Sequence, residues 1–159
     1  DMGKVNAAGR YIGGSIYWKL YAIENLIRIL IHSLLNVQLG PQWWTLVADP
    51  DLDKTVKRVM WDYSKEPYRT SPGRHEIYYV YLRDLNKIIL NQIDQFEPVI
   101  PGIDEIIARI EKIRLPRNVI GHMNWLKVSD QEDINETYIE VRSAVQQLLR
   151  GKERSLIIP

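Results

Sequence analysis

Between Ile16 and Leu39 the chain carries Leu20, Ile23, Leu26, Ile27, Leu30, Ile31, Leu34 and Leu35 at helical spacing. Polar residues narrow to one stripe of Glu24, Arg28 and His32, four apart. A helix that is apolar on most sides must be buried on most sides. This segment is therefore a central element around which others pack, and its face suggests a partner surface as well. The three ionisable residues argue against a membrane span. Ser15 is placed to cap the helix, and Gly40-Pro41 to stop it.

The remaining pattern is helical too. Residues 1 to 14 contain Gly3, Gly9, Gly13 and Gly14 and read as a flexible arm or linker over 1–15. Leu52 to Tyr63 is a second helix with Val56, Val59 and Met60 inward. Ser64 to Gly73 is a loop. Ile77 to Tyr81 has strand composition, but no second strand is near, so it is taken as the start of a helix through Leu85, Ile88, Ile89 and Ile93. Asp104 to Arg114 is the next helix, which Pro116 breaks or restarts, so that Arg117 and Asn118 open a short helix. Ser129 and Glu132 have capping-box spacing. They start a last helix with Ile134, Tyr138, Val141, Val145 and Leu148 inward. The reading is all-α, an up-and-down helical bundle over 16–150 with a tail over 151–159. The start at Asp1 and the apolar end at Leu156 to Pro159 suggest a domain excised from a longer protein.

Composition bounds the chemistry. The chain has 159 residues, with 45% hydrophobic and 26% charged, as expected of one globular domain. It contains no cysteine, which removes disulfides, thiol nucleophiles and thiolate metal sites, and fits an intracellular, cytoplasmic setting. Twenty-one basic residues against twenty acidic ones leave a net charge of +1, so no global field attracts nucleic acid. No glycine-rich phosphate loop, zinc-protease motif or nucleophile elbow is present, and no cofactor or metal is indicated.

The chemistry concentrates in Leu115-Pro116-Arg117-Asn118-Val119-Ile120-Gly121-His122-Met123-Asn124. Arginine brings a permanent charge on a planar fork suited to phosphate. Histidine is suited to proton transfer near neutral pH. Asn118 and His122 are four apart and share a helix face. Arg117 and His122 are five apart, roughly 140° around the axis. One helix therefore focuses both poorly on a single atom. Either the long arginine wraps round, or two copies pool their residues. Lys112 and Arg114, with Arg109 behind, add positive charge beside the motif, attractive to an RNA backbone.

Arg117-Asn118-x-x-x-His122 is similar to the Arg-x4–6-His signature of the HEPN superfamily, all-α domains that include many metal-independent RNases. Two further blocks resemble it in order and spacing. One is Glu24-Asn25-Leu26-Ile27-Arg28 with Gly40-Pro41-Gln42-Trp43-Trp44. The other is Tyr81-Leu82-Arg83-Asp84-Leu85 with Ile88-Ile89. The resemblance covers roughly residues 16 to 150. It implies a HEPN-like bundle and a homodimer with a shared site that cleaves RNA, within a larger defence, toxin or RNA-processing protein. In that arrangement His122 is general base or acid, Arg117 holds the phosphate, and Asn118 orients either. Glu24 and Arg28 line the same cleft in support. The alternative is a non-catalytic RNA- or protein-binding and dimerisation module of the same kind. His32 and His75 are expected to be structural or solvent-facing. Trp43, Trp44 and Trp61 are expected to be packing anchors.

Overall fold

The computed structural model describes residues 1–150 and 155–159. Among these the protein is all-α. The elements are α1 (Met2–Tyr11), α2 (Trp18–Leu39), α3 (Trp43–Val47), α4 (Pro50–Ser64), α5 (Leu82–Asn91), α6 (Ile93–Phe96), α7 (Ile103–Gly121) and α8 (Val128–Arg150). A π-helical segment, Ile12–Tyr17, joins α1 to α2, and a 3-10 turn, Glu76–Tyr79, precedes α5.

Helix α2 is the axis of the core. Ile23, Ile27, Leu30, Ile31 and Leu35 on it are fully buried, each worth roughly 1.5–3 kcal/mol over its exposed state. It packs against α8 and α5, α5 packs against α7, and α7 against α8. Ile134, Val141, Val145 and Leu148 face inward from α8 as their spacing predicts, and Tyr138 packs beside them. By length and composition, the rod Met2–Leu39 holds one helix apolar enough to cross a membrane. Half of its apolar window is buried inside the protein.

The connectivity departs from a strict up-and-down bundle. Arg28 bonds the Val80 carbonyl and Gln38 the Gln95 carbonyl, so α2 and the α5–α6 stretch run the same way. Tyr11 bonds Gln131 and Trp18 packs on Tyr138, so α2 and α8 are parallel as well. The pairs Arg109–Glu136 and Lys112–Asp133 make α7 antiparallel to α8. Residues 40–81 supply the crossover that brings the chain back to the start of the bundle, a connection such bundles tolerate. The polar stripe of α2 is the seam on which this crossover sits. Arg28 donates to the Ile77 and Val80 carbonyls, and His32 accepts from the Trp43 indole at 3.2 Å.

Six local expectations are corrected. Residues 2–11 are helical, and the rod passes through Ser15 without a cap. Pro116 does not break α7. It lies on the buried row Ile103, Ile106, Ile110, Ile113, Pro116 and Ile120, where packing of its ring offsets the lost backbone bond. Ile77 to Tyr79 forms a 3-10 turn, and α5 begins only at Leu82. Helix α8 starts at Val128, so Ser129 lies inside it and not at a cap. Trp43 and Trp44 are buried anchors, but Trp61 is 64% exposed.

His32 and His75 meet in the crossover seam, rings 4.5 Å apart and both against Trp43. Burial, then the nearby His75, pushes His32 down to about 4. Burial lowers His75 as well, against Glu76. Both Nδ1 atoms accept hydrogen bonds, from Trp43 Nε1 and from the Ile77 amide, which requires neutral rings. The unfolded chain protonates His32 near pH 6.5, while the folded chain resists until about pH 4. Stability is therefore lost as pH falls through that window, by up to about 3 kcal/mol from His32. We expect thermal melts at pH 7, 6, 5 and 4 to show this fall, and His32→Gln to flatten it between pH 6.5 and 5.

Candidate functional site

A cleft of about 1130 Å³ opens between α1, the first half of α2, the 72–78 loop and the C-terminal end of α7. That is at or above the upper size for small-ligand pockets. Arg117 comes from the next-to-last turn of α7 because α7 runs through Pro116. Glu24 and Arg28 come from the polar stripe of α2. At the cleft floor Glu24 Oε1 accepts from Arg117 Nε at 2.6 Å, and Oε2 from Arg28 Nη2 at 3.2 Å. One carboxylate thus bridges two guanidiniums. Glu24 and Arg28 side chains are each 12% exposed, Arg117 32%. The Glu24 hydrogen bond holds the Arg117 guanidinium above its ordinary value, against burial.

Three expected residues, Glu24, Arg28 and Arg117, are therefore brought together. Asn118 and His122 are not. Asn118 is exposed and lines a smaller hollow of about 270 Å³ that Arg117 also lines from its other side. His122 is exposed, caps α7 at its C-terminus and lies outside the lining of the large cleft. The roughly 140° separation along α7 persists.

The helix end next to His122 is a Schellman turn. The Met123 amide bonds the Ile120 carbonyl at 2.9 Å, and the Asn124 amide bonds the Val119 carbonyl at 3.0 Å. Met123 takes φ 60°, a left-handed conformation that favours glycine, and its side chain is 92% exposed. Met123→Gly is expected to raise stability by about 1 kcal/mol in denaturant melts, because strain is removed and no core contact is lost.

The positive patch expected from Arg109, Lys112 and Arg114 is largely compensated. Arg109 pairs with Glu105 and Glu136, Lys112 with Asp133 at 2.6 Å, and Arg114 with Glu111 at 2.8 Å. Arg109 and Lys112 lie against α8, whose acidic face neutralises them. Arg114 faces α5 and lines the Asn118 hollow.

Apart from Tyr78, a tyrosine able to stack on bases but expected from the sequence to pack, residues not singled out from the sequence complete the cleft. Tyr17, Tyr21, Tyr78, Asn124 and Trp125 line it. Tyr21 and Asn25 lie beside Glu24 and Arg28 at helical spacing, a signal present in the sequence. Trp125 stacks on Tyr11 at 5.4 Å, a contact that depends on α1 being a helix. Among the described residues no three His, Asp or Glu side chains group as metal ligands. No family model, no curated protein and no solved structure matches this chain.

Proposed function

We propose that this is a metal-independent endoribonuclease domain acting as a HEPN-like homodimer within a larger intracellular defence, toxin or RNA-processing protein. One observation carries the reading: Glu24 bridges Arg28 and Arg117 at the floor of a large cleft. A carboxylate on an otherwise apolar helix fixes the arginine beside the histidine motif. In this reaction His122 takes the proton of a 2′-hydroxyl, whose oxygen attacks the adjacent phosphorus. The bond to the 5′-oxygen breaks, and that oxygen takes a proton from water as it leaves. The products are a 2′,3′-cyclic phosphate and a 5′-hydroxyl. Arg117 stabilises the charge on the phosphoryl oxygens. A second copy, placing its His122 opposite this Arg117, would remove the angular mismatch within one helix.

The purified domain is expected to cut single-stranded or structured RNA in EDTA and to leave cyclic phosphate ends. A second reading, a non-catalytic RNA- or protein-binding and dimerisation module, is favoured by one fact: His122 is exposed and outside the cleft. Dimers by light scattering with no cleavage across the RNA panel would select it.

A further inference from the structure

The large cleft is not the only hollow around Arg117. A groove of about 450 Å³ runs between α5 and α7 on the outer face of the bundle. Arg83, Lys87 and Arg114 line it, with Asn86 from α5 and Glu111 from α7. Arg83 and Arg114 also line the 270 Å³ hollow beside Asn118, and Arg117 lines both that hollow and the large cleft. The three hollows are therefore neighbours in series, with shared arginines between them.

We propose that this series is a track for an RNA backbone, which leads a single strand along α5 and α7 to Arg117. The proposal rests on the ribonuclease reading and names where its substrate lies. From Ile107 to Arg117 the helix advances about 15 Å, which spans about four phosphates at the ~3.4 Å spacing of a stacked strand. Four cations face the path: Lys87, Arg83, Arg114 and Arg117. Three carboxylates stand among them: Asp84, Glu111 and, on Arg117, Glu24. The two Asp84 pairs are exchangeable: Arg83 and Lys87 share Asp84 at 3.5 and 3.7 Å, with both cation side chains at least 60% exposed. Exposed pairs of this kind contribute little, so phosphate can replace them. Arg109 and Lys112 point the other way, at α8.

Asn86 on α5 also lines the groove. Asn86 is 7% exposed, and its Nδ2 donates to the Ile107 carbonyl at 3.1 Å. Its Oδ1 is buried with no partner among the described residues. A buried acceptor without a donor costs about 1–3 kcal/mol.

The test is binding of a labelled single-stranded 2′-O-methyl oligonucleotide, which cannot be cut through its 2′-oxygen, at several salt concentrations. Melting curves confirm that each variant is folded. Arg83→Gln with Lys87→Gln is expected to reduce the salt slope by about 1.4, at about 0.7 per phosphate lost. Arg109→Gln with Lys112→Gln is expected to leave it unchanged. An unchanged slope in the first pair, with cleavage of ordinary RNA intact, overturns the track and leaves the ribonuclease reading standing. Equal falls in both pairs overturn it as well, since the effect would then be overall charge. Preference for polyglutamate over the oligonucleotide reassigns the groove to an acidic protein. Neither binding nor cleavage of any RNA by the wild-type domain overturns both readings.

Discussion

Alanine at His122 or at Arg117 is expected to lower RNA cleavage by about a hundredfold or more. The two variants should differ in stability. His122 is exposed, and among the described residues its imidazole holds no hydrogen bond, so His122→Ala should melt with the wild type. Arg117→Ala removes one of two partners from a carboxylate that is 12% exposed. It should melt somewhat lower, with Arg28 still in place to hold Glu24. Cleavage rate and melting temperature measured on the same preparations separate the two roles. Wild-type cleavage by both variants would remove the motif from the chemistry.

Glu24→Gln carries the second large effect. As an exposed i,i+4 pair and nothing more, Glu24 and Arg28 would be worth about 0.3–0.5 kcal/mol. The structure makes Glu24 the shared anion of two arginines in a mostly buried setting. Removing its charge strands both guanidiniums, and breaking a buried pair from one side costs about 3–5 kcal/mol. Arg28 keeps the Ile77 and Val80 carbonyls, so the lower end of that range applies. We expect the melting temperature to fall by roughly 6–12 °C together with a large loss of cleavage. The double variant Glu24→Gln, Arg117→Gln should recover part of the stability and none of the activity. If it recovers no stability, the coupling between the two residues across the cleft is not what holds the floor together.

The contrast shows what was legible in the sequence and what was not. The burial of α2 and α8 could be read because the spacing of isoleucine, leucine and valine repeats with the helical turn. The Glu24–Arg28–Arg117 cluster could be anticipated because charges on so apolar a helix need partners. Pro116 could not be placed. A proline costs a helix a backbone bond wherever it stands, and only the packing of its ring in the α7 row decides the balance. The direction of α5 was equally hidden, since it depends on how residues 40–81 travel and not on any period. Arg109 and Lys112 looked like an RNA surface because Glu136 and Asp133, which pair with them from α8, lie more than twenty residues away, although Glu105 stands one turn from Arg109. The helical state of residues 2–11 was hidden by glycines that the structure simply accommodates.

That same N-terminal segment bears on how the cleft opens. Helix α1 buries no residue of its own, yet its Val5, Ala8 and Gly9 form one wall of the cleft. It is held by the Tyr11 ring on Trp125, the Tyr11 hydroxyl on Gln131 and a π-helical joint containing Gly13 and Gly14. A stack and a hydrogen bond are each worth about 1 kcal/mol. Helix α2 beyond it is locked by fully buried side chains. In native-state hydrogen exchange the two halves of one rod should therefore separate, with the amides of α1 exchanging by local opening and those around Ile27 only on global unfolding. The depth of the cleft is then a population, set by about 2 kcal/mol at one end of the molecule, while its arginine floor is held by the energy of the whole core.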